Sequence, residues 1–344
     1  MQTEIKVNRK PYLAEKVVIV EGQAGCGKTM LSPIVAALDR VELLTYAYEL
    51  EHICALHYLG KVDTNSAATL ARMWTDLQLY NAAMGRETNF RPSDLSSIFR
   101  DRPWRYLKRI LAKGDEAVVE RVKQERPILH LTAHNFLEIS EPVFAGLGQR
   151  AVLIEVVRHP LYMIKQQALN MERLMSDVRL FTVNIDHNGN DLPFWAQGWE
   201  ELFLKSNAVE KAIYSIKYLN QKRQSARPKL MDSGAQVMTV PFESFVLDPW
   251  LMLKEIATAL RTTVTAHTRK VMKKQRVPRK QIGAGLGLKI YKRCGWEPPR
   301  SGSEADELNS RRAFAAQHAS AEAMAVLDQL CAEYEEQYLS KEEK

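Results

Sequence analysis

KVVIVEGQAGCGKTMLSPIVAAL, residues 16–38, places three patterns one after another. The β-branched apolar run at 16–21 predicts a buried strand. The apolar spacing that begins at Thr29 predicts a helix to about Asp39. Between them, G-x-x-x-x-G-K-T is the spacing of a loop whose backbone N–H groups enclose a phosphate. The stretch therefore predicts a P-loop between a strand and a helix.

Each residue type in this loop has a physical reason. Gly22, Gly25 and Gly27 permit positive φ angles and the close approach of an anion. Lys28 is expected to reach the terminal phosphate-like group, and Thr29 stands where a nucleotide enzyme binds magnesium. The amino terminus of the following helix adds partial positive charge. The predicted cofactor-binding residues of this stretch are Gly22, Gly25, Cys26, Gly27, Lys28, Thr29 and Met30.

The rest of the chain alternates strand and helix patterns. Further strands are predicted at 40–46, 127–132, 151–157 and 235–242. Strands that alternate with helices form right-handed βαβ units. The sequence therefore predicts one P-loop NTPase-like α/β domain over residues 1–344, a three-layer α/β/α fold with a central parallel sheet. We expect a helical insertion at about 47–125 to form a cap that selects the acceptor, and a C-terminal helical segment at about 302–340.

Composition limits the class of protein. The chain has 344 residues, of which 46% are hydrophobic and 26% charged, as in ordinary globular proteins. Four scattered cysteines without a C-x-x-C pair indicate reduced thiols, and no apolar run approaches the ~18 residues of a membrane span. The amino terminus has no signal-peptide pattern, so we expect a cytoplasmic protein. The net charge of +7 is compatible with nucleic acid, a membrane surface or a small polyanion as partner, or with an ordinary excess of Lys and Arg. The basic patches lack the interleaved aromatics of nucleic-acid binders.

Two strand ends bear on the type of anion. A magnesium-nucleotide hydrolase usually has an aspartate at the end of a neighbouring strand. Here PILHLT leads to His134, AVLIEVV ends at Arg158, and the nearest acid by pattern is Glu49. These residues favour an anion bound without a metal, and we assign no metal ligand.

Group transfer needs positive charge on the moving group and a base for the acceptor. We assign Lys28 to the first role and His134 to the second, because histidine titrates near neutral pH. A histidine that only caps the end of a strand is the alternative for His134. A structural salt bridge is the alternative to phosphate binding for Arg158. His130, inside the strand, is expected to pack in the core.

Two further regions have aromatic side chains suited to an acceptor site. Trp195 and Trp199 are four residues apart on a predicted helix, where core packing is the favoured interpretation. A polar loop is predicted beside them at 184–191. In the insertion, the candidate aromatic and flexible apolar side chains are Met73, Trp74, Trp104 and Tyr106.

The chain also resembles a known family, the P-loop sulfotransferases that use 3′-phosphoadenosine 5′-phosphosulfate (PAPS). The similar stretches follow the family's order from about residue 16 to 295: GQAGCGKTML, RPILHLTAHNFLEI, AVLIEVVRHPLYMIKQQ, VMTVPFESFVLDPWLMLKEIATAL and RKQIGAGLGLK. The resemblance implies that the first binds the 5′-phosphosulfate and that Arg158, in an R-x-P element, contacts the 3′-phosphate. It also implies that Arg279 and Lys280, with Lys289, close over the cofactor, and a solvated basic loop is the alternative for these residues.

Two positions depart from the family pattern. Gln166 replaces the serine eight residues after the R-x-P arginine, although its amide can still donate to a phosphate. Lys28 and Thr29 directly follow the last glycine of the loop, which is the form found in ATP kinases. The loop and the rest of the chain therefore indicate different donors.

Three functions stay open at this point. The first is the transfer of a sulfuryl group from PAPS to a hydroxyl or amine of a small molecule or glycan, with His134 as general base. The second is an ATP-dependent small-molecule kinase in which Lys28 and Thr29 serve ATP with Mg²⁺. The third is a nucleotide-binding protein without catalysis. The order of the motifs favours the first, and the letters of the loop favour the second.

Overall fold

A computed structural model of the chain describes residues 5–174, 176–286, 292 and 302–339. Its strands are β1 Val17–Glu21, β2 Thr45–Tyr46, β3 Leu129–Thr132, β4 Ala151–Val157, β5 Asn184–His187, β6 Asn190–Pro193 and β7 Gln236–Pro241. Its α-helices are α1 Lys28–Ala36, α2 Tyr48–Tyr58, α3 Thr64–Met84, α4 Pro103–Ile110, α5 Glu116–Glu125, α6 Glu141–Leu147, α7 Pro160–Arg173, α8 Glu200–Lys205, α9 Ala208–Asp232, α10 Phe242–Leu247, α11 Trp250–Ala259, α12 Ala266–Lys274, α13 Glu304–Ala316 and α14 Ala321–Tyr338. Within these residues, no helix has the length and apolar character that crossing a bilayer requires.

The central sheet is parallel, and β1 lies in its middle. The strand order is β2-β3-β1-β4-β7. Val18 of β1 is level with His130 of β3 and Val152 of β4, so the carboxyl ends of these strands meet at one edge. Every residue of β1 is buried, as expected for a strand that is covered on both faces. The predicted central parallel sheet is confirmed.

Helices flank this sheet. α1 packs against β1 and β3 and meets α12, where the Thr268 hydroxyl donates to the carbonyl oxygen of Ala37. α3 and α6 pack together beside β3 and β4, and α9 lies against α7 and β7. The predicted three-layer α/β/α arrangement is confirmed, and it puts the P-loop at the carboxyl edge of the central strand.

The predicted strand at 40–46 is much shorter in the structure. Only Thr45–Tyr46 forms a strand beside β3, and a single isolated bridge precedes it. The reason lies in Glu42, whose buried carboxylate accepts hydrogen bonds from Arg105 at 2.6 Å and Arg109 at 2.8 Å. This segment therefore packs against α4, and its polar contacts replace most of the expected sheet pairing.

The segment predicted as a polar loop at 184–191 is mostly a β-hairpin. β5 and β6 pair antiparallel around a turn in which Gly189 has a positive φ of 79°. Trp195 then lies in a 3-10 turn and Trp199 precedes α8, so the two do not share the predicted helix. Both are buried, with ring centroids 6.0 Å apart, which confirms core packing.

Candidate functional site

The P-loop joins β1 to α1 in a conformation that glycine makes possible. Gly22, Gly25 and Gly27 have positive φ angles of 147°, 85° and 108°. A Cβ at Gly27 would lie 2.2 Å from the ring of Phe242, and one at Gly22 would lie 2.5 Å from a carbonyl oxygen of β4. Larger residues would have to displace these groups, so the loop keeps its close approach to the neighbouring strands.

Lys28 begins α1 and is almost completely buried under the loop. Its ammonium donates to the carbonyl oxygen of Gly22, within the loop itself. Burial lowers the pKa of Lys28, because the charged form loses its hydration. Thr29 is half-buried beside it and Met30 is buried, while burial raises the pKa of the Cys26 thiol. The loop thus holds a poorly solvated cation that a bound polyanion would stabilise.

Arg158 directly follows β4 and lies against the loop. Its guanidinium donates to the carbonyl oxygen of Gly25 at 3.0 Å, and its carbon lies 4.1 Å from the ring centroid of Phe242 and 4.8 Å from that of Tyr162. The side chain is only 9% exposed. Its Nε has no hydrogen-bond partner within the described residues, and the carboxylate of Glu243 is 3.9 Å away from it. A buried N–H group beside the loop therefore lacks an acceptor.

The last helix holds this region in place. The Tyr334 hydroxyl of α14 donates to Glu243 at 2.5 Å, and burial together with that carboxylate raises the pKa of Tyr334. The Nε2 of His159 donates to Glu335 at 3.0 Å, while its Nδ1 accepts from the Leu161 N–H at 3.3 Å. His159 therefore shapes the turn after β4, and Arg158 is held between the sheet and the C-terminal helices.

The residues predicted to close over the cofactor lie partly at the same place. The Arg279 guanidinium is 5.4 Å from the ring centroid of Phe242, the ring that Arg158 also contacts. Lys280 is exposed beside it. Lys289 lies outside the described residues. Two predicted cationic residues therefore meet on one aromatic ring next to Gly27.

Gln166 and its neighbour Gln167 differ in what they contact. Gln166 is half-buried on α7 and lines neither of the two cavities that border the loop. Gln167 is buried, donates to the side chain of Gln23 at 3.1 Å and accepts from Ser215 at 2.9 Å. Because Gln23 is the second residue of the loop, the structure brings Gln167 to it.

His134 lies two residues after β3, across β1 from Arg158. The backbone N–H of His134 donates to Oε1 of Glu51 at 2.8 Å, and its ring Nδ1 is 3.3 Å from the same oxygen. A carboxylate can only accept, so Nδ1 carries a proton, and in the neutral ring Nε2 is the nitrogen with the lone pair. The ring stacks on Tyr48, with centroids 6.4 Å apart. The geometry therefore suits a proton acceptor at Nε2.

A cavity of about 190 Å³ joins His134 to the P-loop. Gln23 and Ala24 of the loop line it together with His134, and Trp195 contributes an aromatic wall. From the insertion it is lined by Tyr48 and Glu51, near the start of α2. The four insertion residues that the sequence singled out lie elsewhere: Met73, Trp74, Trp104 and Tyr106. Acceptor selection by those four stays a prediction without a contact to this cavity.

Two buried glutamates lie directly before or beside the loop, and the sequence reasoning missed them. Glu21 ends β1, and Glu155 is level with it on β4. Arg223 of α9 lies 3.3 Å from Glu21 and 3.9 Å from Glu155, which also contacts Arg227. Burial raises the pKa of Glu155 even with these cations nearby. The available signal was a single acid near the end of each buried apolar strand, KVVIVE and AVLIEVV.

Solved structures similar to this chain show the same family name repeatedly. The sulfotransferase domain of the Synechococcus PCC 7002 olefin synthase matches over 91% of this chain and 98% of its own, with 14% identity and a TM-score of 0.41. Sulfotransferase STF9 from Mycobacterium avium matches over 95% of this chain and 78% of its own, with 14% identity and a TM-score of 0.40. Mouse sulfotransferase SULT7A1, solved in complex with PAP, matches over 94% of this chain and 85% of its own, with 14% identity and a TM-score of 0.37. All three are sulfotransferases, the family that the motifs resemble.

These similarities are too distant to assign a reaction. No family model matches the chain, and no curated protein matches it at a significant level. What the chain does must therefore be inferred from the residues at the loop.

Proposed function

We propose that this chain is a P-loop transferase that moves a sulfuryl group from PAPS to a hydroxyl or amine of a small molecule or glycan. The observation that carries this proposal is the buried guanidinium of Arg158 against the P-loop. The loop accounts for one phosphate-like group, and Arg158 supplies a second cationic position beside it. A donor with two separate phosphate positions suits this pair better than one triphosphate chain.

The residues at the loop fit such a donor. The Nε of Arg158 is buried without a hydrogen-bond partner in the described part of the chain, a state that an anionic ligand would relieve. The ring of Phe242 lies beneath Arg158 and within reach of Arg279, so it holds both cations beside the loop. Gly22 and Gly27 let the loop lie close against β4 and the ring of Phe242, where a Cβ would clash. PAPS, when bound, supplies an activated sulfuryl group whose bond to the 5′-phosphate breaks with the electrons kept by the phosphate.

Lys28 would hold the leaving phosphate and the moving group. Its ammonium now donates to the carbonyl of Gly22, and its charge is poorly solvated. An anion in the loop offers a stronger, charge-assisted partner than a carbonyl oxygen. Lys28 therefore provides positive charge where negative charge develops on the leaving oxygen.

His134 is placed to remove the proton of the acceptor. Its Nδ1–H donates to Glu51, which fixes the tautomer in which Nε2 accepts. The side chain is 44% exposed and lines the cavity that reaches Gln23 and Ala24 of the loop. An acceptor in that cavity would lose its proton to Nε2 as its oxygen or nitrogen bonds to sulfur. Glu51 thereby acts as the positioning residue of His134.

A second function is favoured by the loop itself, an ATP-dependent small-molecule kinase. Lys28 and Thr29 occupy the positions that such enzymes use for the phosphates and for magnesium. The carboxylates beside the loop are bound by arginines, however, so Glu155 would have to leave Arg223 before it could serve a metal's water shell. A nucleotide-binding protein without catalysis is the third candidate and would bind without turnover.

Thermal unfolding with two ligands separates these functions. We expect adenosine 3′,5′-bisphosphate to stabilise the chain by ~2.7 kcal/mol at 100 times its Kd, and Mg-ATP to stabilise it less. Stabilisation by Mg-ATP alone would assign the kinase function, and no stabilisation by either would contradict a nucleotide site. Transfer of labelled sulfate from PAPS to a panel of hydroxyl and amine acceptors then tests catalysis. Tight binding of the bisphosphate without any transfer would favour the third candidate.

A further inference from the structure

The helix α4 directs arginine side chains, together with the buried Tyr106, toward the rest of the fold. Arg109 is buried, and its guanidinium binds both carboxylate oxygens of the buried Glu42, at 2.8 and 2.9 Å. Arg105 donates to the same carboxylate at 2.6 Å. Just before the helix, Arg102 donates to the carbonyl oxygen of Val41 at 3.0 Å. The inward side of α4 is therefore held by arginines.

The outward side of the same helix is largely apolar. Trp104 is 73% exposed, and Leu111, the C-cap residue that directly follows the helix, is 90% exposed. They are seven residues apart, with Lys108 exposed between them, so the three side chains lie on one face. We call these three residues the α4 outer face. No described residue covers it.

Further exposed aromatic and basic side chains lie in the segment that leads to this helix. Phe90 and Phe99 are about half exposed and have ring centroids 6.3 Å apart. The exposed charged residues over 86–113 are five basic ones and one acid: Arg86, Arg91, Arg100, Lys108, Lys113 and Glu87. Over this stretch of the sequence the apolar side chains are thus accompanied mainly by positive charge, and two exposed acids, Asp115 and Glu116, follow it.

A second helix shows that exposure of tryptophan and leucine alone does not mark a binding face. On α11, Trp250 is 47% exposed and Leu251 is 68% exposed. The inward side of α11 is nevertheless apolar, with Leu253 and Ile256 fully buried. Burial of apolar surface in the fold therefore accounts for α11, whereas α4 buries Tyr106 and leaves Trp104 and Ile110 exposed.

We propose that the α4 outer face binds the surface of membranes that contain anionic lipids. Tryptophan and leucine would enter the interface between headgroups and acyl chains. Lys108, in the middle of the face, can extend its ammonium to lipid phosphates while its methylene groups stay near the apolar layer. The same lysine argues against a second copy of the chain, because the centre of a protein interface is depleted of lysine and a symmetric dimer would bury this charge.

Vesicle sedimentation with the full chain tests this binding. We expect binding to vesicles of phosphatidylcholine with phosphatidylserine, little binding to phosphatidylcholine alone, and release at high salt. The double variant Trp104→Ser/Leu111→Ser should lower the partition coefficient roughly tenfold or more. Lys108→Glu should lower it roughly fivefold or more, with the apolar residues left in place.

The matched control is Trp250→Ser/Leu251→Ser, which removes the same two residue types from α11. It should bind vesicles like the unmodified chain, and thermal unfolding should show that both double variants are folded. Absence of binding to anionic vesicles, or equal losses in the two double variants, would overturn the proposal. So would a dimer in sedimentation velocity that Trp104→Ser/Leu111→Ser converts to a monomer, since the face would then join two copies.

Discussion

The two sides of the P-loop differ in how much water they admit. After β3, His134 is 44% exposed and opens into a cavity, with one carboxylate oxygen of Glu51 to orient it. After β4, Arg158 is 9% exposed and lies between the loop and two aromatic rings. A group that exchanges a proton with an incoming acceptor must be accessible, whereas a fixed charge binds an anion more strongly where water is excluded. We infer that one side serves the chemistry and the other serves binding.

Removal of the histidine is the strongest test of this division. We expect His134→Ala to lower turnover by ~10²–10⁴-fold, because the acceptor loses its base. The affinity for adenosine 3′,5′-bisphosphate, measured by calorimetry, should stay the same because His134 lies on the other side of the loop. Steady-state transfer assays give the first value. Turnover that survives the change would show that His134 is not the base.

Glu51→Gln is the control that separates position from chemistry. Glutamine keeps the size of the side chain and can still accept from the His134 N–H, but it no longer provides a charged partner for Nδ1. We expect a smaller loss of turnover than in His134→Ala and an altered pH–rate profile. Equal losses of turnover in His134→Ala and Glu51→Gln would mean that these variants do not separate the orienting role of Glu51 from the role of His134 as base.

A substitution of Arg158, on the binding side of the loop, should lower the affinity for the ligand. We expect Arg158→Lys to weaken adenosine 3′,5′-bisphosphate by roughly 10–100-fold, because lysine cannot reproduce the planar, bidentate guanidinium. Adenosine 5′-phosphate, which lacks the second phosphate, should lose little. Calorimetric titration of both ligands measures the difference. An equal loss for both ligands would remove the 3′-phosphate role from Arg158, and Arg158→Ala should then show the same equality.

The sequence predicted the parts of the fold that depend on continuous local patterns. β1, the loop and β4 are where the apolar runs and the glycine spacing place them. The strand predicted at 40–46 forms only at Thr45–Tyr46, because Glu42 binds two arginines that come sixty and more residues later. Local β-branched character could not show that partner. Tertiary contacts determine whether such a segment forms a strand, and these contacts cannot be read from one sequence alone.

The same limit applies to the site. Lys28, His134 and Arg158 could be named from motifs, since each follows a predicted strand of a parallel sheet. Glu51 could not, because it reaches His134 across 83 positions of the chain. The contact of Arg158 with the ring of Phe242 likewise depends on how β4 and β7 pair. Motifs identified the chemical groups, and the pairing of strands determined which ones meet.

Lys28 lies in the loop between the His134 side and the Arg158 side, and its substitution should have the smallest effect, a change in the free energy of unfolding. Its pKa is lowered by burial from the usual 10.5. Between the pKa of Lys28 in the folded chain and that in the unfolded chain, the folded chain therefore binds fewer protons than the unfolded chain. The free energy of unfolding should therefore rise with pH through that window, and the cost of the buried charge is present in full below it. We expect Lys28→Met to abolish this rise and to stabilise the ligand-free chain by about 1 kcal/mol at neutral pH. Urea unfolding of both chains from neutral to alkaline pH measures the difference, while adenosine 3′,5′-bisphosphate should stabilise the chain with Lys28 more than the variant. A less stable Lys28→Met chain, or parallel pH dependences, would mean that its contact with the Gly22 carbonyl already offsets the burial.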